Sequence, residues 1–392
     1  MKFLLISINN CGMPFNVYPL GTSIVANILD HNGYNVKQLD LLVEKFSYKN
    51  LQFEIESFKP DIVGISIRNI YIDTIPMCKK IVNICHKNKI SVFLGGSGFY
   101  HAHLKIMEST GADFGLLGPA ESNLLDFVHD FQKNKLEKHT VIKPKQYHTI
   151  AGPLYEENIL KYYSKTPLSI GINTKRGCRH NCFYCSYNDL EAHQIKYRDV
   201  NSVINDIKML KYQYNISCFF FADGVFNDTF EYEKILYELK KEKLNISWSA
   251  FLRPDNISAK NLSLMKETGL YFPFLGIDGT TDTTLKSAKK GFVWSDVEKI
   301  DKLFLDYKIK DSYASFMFGC PLESKNTVIE GINNIKKLHF KLFDIFIYSS
   351  YLLYFNEQIN TDEICDNVDR NWIENKLNEA FGHMGCIKNE NI

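Results

Sequence analysis

Short runs rich in β-branched and aromatic residues alternate with helical patterns along most of the chain. In the first third these runs are KFLLISI, NVKQLDL, DIVGISI, SVFLGG and ADFGLLG, and each is followed by a segment with helical spacing. Such alternation is typical of a parallel sheet with helices on both faces. Residues 1–132 are therefore predicted to form a five-stranded, doubly wound, Rossmann-like α/β domain.

A second alternation follows a polar and irregular segment, residues 133–165, which is interpreted as a linker. Six β-rich runs then alternate with helical stretches: LSIGINT, CFFFADGV, ISWSAFLRP, YFPFLGIDG, YASFMFGCP and FDIFIYSSYLLY. Six β/α units predict a partial, TIM-like barrel over residues 166–356 and not a closed eightfold one. Residues 357–392 are predicted to form a short tail with one amphipathic helix near residues 370–381.

The composition limits the partners and the compartment. Lys and Arg number 46 against 45 Asp and Glu, so the net charge gives no global attraction to nucleic acid or to an anionic membrane. No apolar run reaches the roughly 18 residues of a membrane-spanning helix, and the opening MKFLLISINN lacks the cleavage site of a signal peptide. Ten cysteines without an export signal predict a reducing, cytoplasmic location.

Small and turn-forming residues follow the strands of the first domain, where doubly wound folds bind their ligands. They can allow a ligand to approach the backbone closely, or they can be ordinary strand-to-helix turns. No G-x-G-x-x-G sequence follows the first strand, which argues against a dinucleotide. The candidate binding residues are Leu20, Gly21, Gly64, Ser66, Gly95, Gly96, Gly98, Gly118 and Glu121.

Three cysteines lie in one short loop, KRGCRHNCFYCSY, at positions 178, 182 and 185. A structural zinc site normally closes with four protein ligands, but Cys178, Cys182 and Cys185 supply three and no second C-x-x-C follows. Soft thiolates favour iron–sulfur clusters, and a three-cysteine loop can leave one iron open for a cofactor or a substrate. Zinc binding and purely structural thiols remain the alternatives.

The C-x-x-x-C-x-x-C spacing after the first barrel strand, with Tyr184 before the third cysteine, resembles the signature of the radical S-adenosylmethionine (radical SAM) superfamily. This resemblance implies that the three thiolates hold a [4Fe-4S] cluster and that S-adenosylmethionine (SAM) binds its open iron. It also implies that reductive cleavage of SAM gives a 5′-deoxyadenosyl radical. An external electron donor such as flavodoxin or ferredoxin would supply the electron.

Three later segments resemble further motifs of the superfamily, with departures. Asp223 stands alone where two acids are usual, LGIDG (275–279) has Asp and Gly in place of Glu and Ser, and GCPLE (319–323) has Leu322 in place of a glycine. The resemblance implies that the residues that contact SAM are Tyr184, Asp223, Arg253, Gly276, Asp278, Gly319 and Pro321.

Some side chains of the barrel have a second interpretation. Arg253 can clamp a carboxylate or belong to a surface ion pair. Trp248 and Phe251 are interpreted as barrel packing in preference to substrate stacking. No residue is assigned a catalytic role.

The first domain resembles the cobalamin-binding domain of cobalamin-dependent radical SAM enzymes, through its Pro-Leu-Gly turn, Gly-x-Ser strand end, Gly-Gly segment and final Gly-x-x-Glu. The D-x-H-x-x-G loop that supplies a histidine to cobalt is missing, because Asp30-His31-Asn32-Gly33 has the wrong spacing. The resemblance therefore implies cobalamin bound with its base displaced and no histidine below the metal. Arg68 is predicted to lie beneath the corrin or, alternatively, to be a solvated loop arginine.

Together the resemblances cover about residues 1–350 and imply a methyltransferase that acts on an unactivated carbon, or on phosphorus. One SAM would methylate the reduced cobalamin and a second would give the radical. The short segment after the sixth strand favours a small molecule or free amino acid over a peptide precursor as the substrate. Two other classes stay open: a cobalamin-binding radical enzyme that rearranges, cyclises or oxidises, and a non-catalytic iron–sulfur or cobalamin sensor.

Overall fold

The computed structural model describes residues 1–9, 16–43, 48–70, 73–191, 195–347, 368–382 and 385–388. Within this part the chain divides into two compact units. The first consists chiefly of residues 1–176 and 196–220, and the second chiefly of residues 177–188 and 221–388. Across the described residues, no helix is long and apolar enough to cross a membrane.

A six-stranded sheet with the order β2-β1-β3-β4-β5-β6 forms the centre of the first unit, and all of its neighbouring strands are parallel. Ser7 pairs with both Asp40 and Ser66, so the carboxyl ends of the first three strands lie level. The strands are β1 (Lys2–Ser7), β2 (Asn35–Asp40), β3 (Ile62–Ser66), β4 (Ser91–Gly95), β5 (Phe114–Leu116) and β6 (Thr140–Ile142).

Helices follow the strands because apolar residues recur on one side of each helix and pack on the sheet. Phe3, Phe93 and Phe127 belong to one buried core cluster, which joins strands to the helix that follows β5. The helices of this part of the chain are α1 (Leu20–His31), α2 (Tyr48–Phe58), α3 (Thr74–Lys87), α4 (Ser97–His101), α5 (His103–Thr110), α6 (Leu124–Gln132) and α7 (Glu157–Tyr163).

The structure corrects two predictions for this part of the chain. The sheet has six strands and not five, because β6 pairs with β5. The predicted irregular linker, residues 133–165, contains both β6 and α7. A three-residue strand between lysine-rich flanks is too short to show an alternating pattern, and here its pairing with β5 stabilises it.

A seven-stranded sheet has the order β15-β14-β13-β12-β11-β10-β7, and a separate pair joins β8 to β9. The strands from β11 to β14 are parallel neighbours, whereas β15 runs antiparallel to β14. These strands are β7 (Gly171–Ile172), β8 (Lys175–Arg176), β9 (Lys196–Tyr197), β10 (Cys218–Phe221), β11 (Ser247–Leu252), β12 (Leu270–Gly276), β13 (Tyr313–Phe318), β14 (Leu342–Ile347) and β15 (Gly385–Lys388).

Several helices that follow these strands begin with side-chain caps. Ser258, Thr281 and Ser324 each accept a hydrogen bond from the backbone N–H three residues later, which satisfies an otherwise unpaired donor. The helices are α8 (Tyr187–Glu191), α9 (Val200–Tyr214), α10 (Glu231–Lys241), α11 (Ala259–Glu267), α12 (Asp282–Ser287), α13 (Trp294–Asp306), α14 (Lys325–Ile335) and α15 (Arg370–Phe381).

Each of the six β-rich runs of the second half contains a strand of the seven-stranded sheet, and the amphipathic helix near residues 370–381 is confirmed as α15. The tail is not only helical, because β15 adds an antiparallel edge strand. Residues 348–354 of the sixth run lie outside the described residues. The domain limits at residues 132, 165 and 356 stay predictions.

Asp40 is a fully buried carboxyl at the carboxyl end of β2. Its Oδ1 accepts hydrogen bonds from the N–H of Leu42 at 3.1 Å and from the hydroxyl of Tyr163 at 3.1 Å. Burial raises the pKa of Asp40 to about 6 in spite of these bonds. The folded protein therefore favours the protonated form of this carboxyl.

We expect Asp40→Asn to stabilise the fold at pH 8, because a neutral amide avoids burying the charge and its oxygen can still accept these bonds. Below pH 4 the carboxyl is protonated in both states, and the penalty grows as the pH rises from about 4 to about 6. The gain above pH 6 is on the order of 2–3 kcal/mol. Urea unfolding at pH 4 and pH 8 measures it, with exposed Asp30→Asn as the control. An equal effect of Asp40→Asn at both pH values would contradict this account.

Candidate functional site

The loop with the three cysteines connects β8 to α8. Cys178 is buried, Cys182 is half-buried and Cys185 is exposed, and all three are free thiols. Burial of its sulfur raises the pKa of Cys185, and the charges of Cys182 and Cys178 raise it further. The three thiols therefore lie close enough to influence one another.

This arrangement fits an iron–sulfur cubane better than a single metal ion. Within the described ranges, no three His, Cys, Asp or Glu side chains converge tightly enough to hold one ion. In a cubane each cysteine binds a different iron, so the sulfurs need to surround a cluster and not to meet at one point. Cys178, Cys182 and Cys185 would hold such a cluster from a single loop.

Asp228 fastens the first half of the cysteine loop. Its buried Oδ1 accepts hydrogen bonds from Nε of Arg179 at 3.0 Å and from Nε2 of His180 at 2.7 Å. Asp228 was missed from the sequence, because Asp223 is the residue that resembles the acidic segment of the superfamily. The sequence signal was the polar pair Asn227-Asp228 directly after the apolar Val225-Phe226, and the structure buries both polar side chains.

A second anchor fastens the end of the loop. The hydroxyl of Tyr184 donates a hydrogen bond to Oδ2 of Asp278 at 2.5 Å, and Nζ of Lys290 lies 3.0 Å from the same oxygen. Lys290 also donates to the Tyr184 hydroxyl at 3.1 Å, and Ser315 donates to the second oxygen, Oδ1, at 2.6 Å. These four side chains join the cysteine loop to the segment that follows β12 and to the middle of β13.

The charge of Asp278 is balanced inside this group. Burial alone would raise the pKa of Asp278, but the Lys290 ammonium and the hydrogen bonds from Ser315 and Tyr184 hold it below its usual value. Asp278 is therefore a half-buried carboxylate paired with the buried ammonium of Lys290. Lys290 was missed from the sequence, where it is one lysine of the ordinary pair before Gly291.

Arg253 is engaged within the protein. Its guanidinium pairs with both oxygens of Asp255, at 3.0 and 2.9 Å, and donates to the carbonyl of Lys290 at 2.6 Å. The expected surface ion pair is thus an ion pair whose arginine is buried, only 3% exposed. Arg253 supports the segment that carries Lys290, and its contact with SAM stays a prediction.

The two aromatic residues of β11 have different surroundings. Trp248 is completely buried and contacts the rings of Phe221 edge-on and of Phe226 at a tilt, so its assignment to packing is confirmed. Phe251 is 44% exposed. The interpretation of Phe251 as packing therefore holds only in part, because its ring lies on the other side of the strand from Trp248, where it contacts Phe274 but is not enclosed.

The GCPLE segment forms a tight turn around Glu323. The buried carboxylate accepts hydrogen bonds from the N–H groups of Gly319 and of Cys320, the latter at 3.1 Å. Burial raises the pKa of Glu323 to about 7, although these two bonds oppose the shift. Gly319 and Pro321, both predicted to contact SAM, therefore belong to a turn held by an internal carboxyl.

Leu322 occupies a backbone conformation that suits glycine. Its φ is +66° and its side chain is 72% exposed, so the leucine has the strain of the left-handed region without burial to offset it. We expect Leu322→Gly to stabilise the protein by about 0.5–1 kcal/mol. Urea unfolding measures this gain as a higher midpoint concentration. Leu305→Gly is the matched control, because Leu305 is an exposed leucine in a helix and its replacement should destabilise. Destabilisation by Leu322→Gly would contradict the strain argument.

At three glycines that were predicted to leave room for a ligand, other atoms of the protein occupy the space beside the backbone. A Cβ on Gly64 would lie 2.3 Å from the ring of Phe93, so this glycine serves packing on the sheet. Gly96 has a φ of +103°, and a Cβ there would lie 2.5 Å from the carbonyl oxygen of Ile67. Gly98 meets the carbonyl of Arg68 in the same way, at 3.0 Å. A large residue at Gly96 would thus distort the turn and not simply fill a binding site.

The remaining predicted cobalamin residues lie at the ends of strands or helices. Gly21 is in the first turn of α1, beginning at Leu20, with nothing within 4 Å of its would-be Cβ. Arg68 is exposed, and its carbonyl accepts a hydrogen bond from Ser97 at 2.8 Å. The other predicted positions are Ser66 and Gly95, which end β3 and β4, and Gly118, which precedes the 3₁₀ turn Ala120–Ser122.

Glu121 is tied into the protein. Its side chain is 3% exposed, lies 3.5 Å from Nε of Arg176 and accepts a hydrogen bond from the N–H of Ala151 at 3.3 Å. Arg176 also pairs with Glu191 at 2.7 Å. Glu121 therefore balances the arginine that precedes the cysteine loop, and its contact with cobalamin stays a prediction.

Comparison with known families agrees with both halves of the chain. Residues 10–128 match the B12 binding domain family, and residues 172–341 match the Radical SAM superfamily. The first match runs from before α1 into α6, and the second runs from β7 to the residue before β14.

Three relatives show how far the likeness extends. An uncharacterized methyltransferase of Pyrococcus horikoshii is 26% identical over 82% of this chain and 73% of its own length. Cytidylyl-2-hydroxyethylphosphonate methyltransferase of Streptomyces wedmorensis is 22% identical, over 71% of this chain and 64% of its own length. The solved structure of the radical SAM methyltransferase TsrM from Kitasatospora setae, with cobalamin and a [4Fe-4S] cluster bound, is 18% identical with a TM-score of 0.76, over 88% of this chain and 74% of that one.

The TsrM structure shows the same fold, in which an α/β domain with a parallel sheet precedes the radical SAM domain. The cysteine loop lies inside the segment that matches the Radical SAM superfamily, and the B12 binding match includes β2 to β5 of the six-stranded parallel sheet. This chain belongs to the cobalamin-dependent radical SAM enzymes.

Proposed function

We propose that this enzyme transfers a methyl group from SAM, by way of cobalamin, to an unactivated carbon or to phosphorus of a small molecule. The observation that carries the proposal is the presence of a B12 binding domain and a Radical SAM domain in one chain. Similarity to methyltransferases over most of the chain supports it, including one that acts on a phosphonate. These relatives favour methyl transfer over rearrangement, cyclisation or oxidation.

When bound, the cluster and SAM supply a 5′-deoxyadenosyl radical, and cobalamin supplies a methyl carrier. The chain's own residues hold and orient these groups. Cys178, Cys182 and Cys185 would bind the cluster, while Asp228 and the Asp278–Lys290 pair keep the loop in place from two sides. A loop fixed at both ends preserves the orientation of its ligands.

The turn of GCPLE would contribute to the binding of SAM. Glu323 accepts hydrogen bonds from the N–H groups of Gly319 and Cys320. Cys320 belongs to a core cluster against which Phe183 and Tyr184 pack, so the turn contacts the cysteine loop. SAM contacts at Gly319 and Pro321 would follow from this arrangement. Gly276, which ends β12, and Asp223, which follows β10, complete the set that we assign to SAM.

The electron that starts each radical reaction would come from an external donor such as flavodoxin or ferredoxin. We also propose that cobalamin binds with its base displaced, since no D-x-H-x-x-G loop is present, and that Arg68 lies on the lower side of the corrin. The exposed side of the sheet's carboxyl ends, at Gly21 and Gly95, would face the cofactor.

Product analysis tests this proposal. The protein, reconstituted without oxygen, is incubated with SAM, a reductant and a set of candidate small molecules, and 5′-deoxyadenosine and S-adenosylhomocysteine are quantified. Methyl transfer predicts both products together with a methylated compound. A rearranging or oxidising enzyme would give 5′-deoxyadenosine alone, and a sensor would give neither, so either outcome would refute the proposal.

A further inference from the structure

Aromatic rings form a continuous row on one side of the second sheet. Phe251 of β11 pairs in register with Phe274 of β12, which pairs with Tyr313 of β13. The ring centroids are 5.8 Å apart for the first pair and 5.3 Å for the second. Phe272, two residues before Phe274 and hence on the same face, adds a ring at 5.0 Å.

This row lies on the side of the sheet that faces the cysteine loop. Side chains two residues apart on a strand point the same way, so Ser315 is on the same face as Tyr313. Ser315 donates a hydrogen bond to Asp278, whose other oxygen accepts from Tyr184, the neighbour of Cys185. A molecule lying on the rings would therefore be on the cluster side of the sheet.

The opposite face of the same strands is closed. Ala250, Leu275 and Ala314 are at most 1% exposed, as expected for positions covered by helices. Phe251, in contrast, keeps 44% of its surface, and Phe274 is only half-buried. Contiguous aromatic surface of this kind commonly marks a binding site.

A carboxylate stands beside the row. The hydroxyl of Tyr313 donates to Oδ2 of Asp344 at 3.0 Å. The other oxygen, Oδ1, is shielded from water and has no hydrogen-bond partner within the described part of the chain. A carboxylate oxygen that is shielded from water and has no hydrogen-bond donor destabilises the protein. A bound molecule with a charged donor would satisfy it.

We propose that Phe251, Phe272, Phe274, Tyr313 and Asp344, here named the aromatic face, bind the substrate of the proposed methyl transfer. The substrate class is a small molecule with a planar aromatic ring and a protonated amine, the ring stacked on the phenylalanines and the amine paired with Asp344. Stacking and a charge-assisted hydrogen bond together select this class over neutral rings and over amines without rings. The proposal rests on the proposed function, because it names that reaction's substrate class.

The test is a binding titration of the full chain, followed by NMR signals of the probe, with no SAM or reductant present. The probes are 2-phenylethylamine, the neutral 2-phenylethanol and the non-aromatic 2-cyclohexylethylamine. We expect the first to bind about tenfold more tightly than the alcohol and about threefold more tightly than the cyclohexyl amine.

Variants then locate the site. Asp344→Asn should remove the preference for the amine over the alcohol, and Phe251→Leu should remove the preference for the aromatic amine while keeping an apolar side chain. Phe230→Ala is the matched control, because Phe230 is an 84% exposed aromatic residue elsewhere and its loss should change nothing.

Equal affinity for all three probes, absence of saturable binding, or binding unchanged by Asp344→Asn and Phe251→Leu would overturn the inference. Tighter binding of the neutral alcohol would also overturn it, because the occupant would then be an uncharged ring. These results are independent of the proposed function. Formation of S-adenosylhomocysteine and 5′-deoxyadenosine without probe binding would refute only the substrate class, and probe binding without these products would refute only the methyl transfer.

Discussion

Replacing Cys178, Cys182 and Cys185 together by alanine is expected to abolish iron binding and the formation of 5′-deoxyadenosine. We expect the three thiolates to be the ligands of the cluster, and no group of three His, Cys, Asp or Glu side chains in the described residues converges to bind a metal ion in their place. The loop itself should survive, because Asp228 and Asp278 hold it through residues other than the cysteines. Iron and sulfide analysis after anaerobic reconstitution measures the effect, together with the visible absorption of thiolate-bound iron.

The half-buried Cys218 lies outside the loop and provides the matched control. Cys218→Ala should keep the full iron content and product yield. A triple alanine variant that retains iron and its visible absorption would show that the cluster is not bound where the account places it. An equal loss of iron in Cys218→Ala would mean that iron binding depends on cysteines in general and not on those of the loop.

Lys290→Met is expected to destabilise the protein by about 2–4 kcal/mol, the lower part of the range for a buried pair, because Asp278 is only half-buried. Lys290 is 5% exposed and lies 3.0 Å from Oδ2 of Asp278, which burial would otherwise drive to its protonated form. The methionine keeps most of the volume of the lysine stem. Chemical unfolding of Lys290→Met and of the parent protein measures the difference in the free energy of unfolding.

Lys290→Met combined with Asp278→Asn should recover most of this loss, because a neutral amide needs no cation. The double variant should also bind iron at the parent level, since Tyr184 can still donate its hydroxyl to the amide oxygen. Additive losses in the double variant would show that the two side chains do not form a coupled pair. In that case the second anchor of the cysteine loop would have to be sought elsewhere.

The sequence predicted those parts of the fold that repeat a strong local pattern. Apolar runs such as KFLLISI and YASFMFGCP appear as β1 and β13 because a buried strand needs consecutive apolar residues. The strands β6 and β15 were not predicted, because both are short edge strands that are stabilised by hydrogen bonds to the neighbouring strand. Strand pairing between segments that are distant in the chain produces no local sequence pattern comparable to a run of apolar residues.

The candidate site divides in the same way. The spacing of the cysteines is a local pattern and could be found from the sequence, whereas Asp228 and Lys290 act through partners 48 and 106 residues away in the chain. Gly64 and Gly96 illustrate the converse. In the sequence, a glycine that leaves room for a ligand looks the same as one that leaves room for the protein's own atoms. Gly64 leaves room for the ring of Phe93 and Gly96 for the carbonyl of Ile67, and only the packing in the structure shows this.

The most direct test of methyl transfer by way of cobalamin is the amount of S-adenosylhomocysteine formed with and without cobalamin. Anaerobic protein carrying its cluster is supplied with a reductant and with SAM labelled in its methyl group, once loaded with cobalamin and once freed of it. We predict 5′-deoxyadenosine from both samples, but S-adenosylhomocysteine and labelled product only from the loaded one. Equal S-adenosylhomocysteine from the two samples, or 5′-deoxyadenosine without any S-adenosylhomocysteine from the loaded one, would contradict the account.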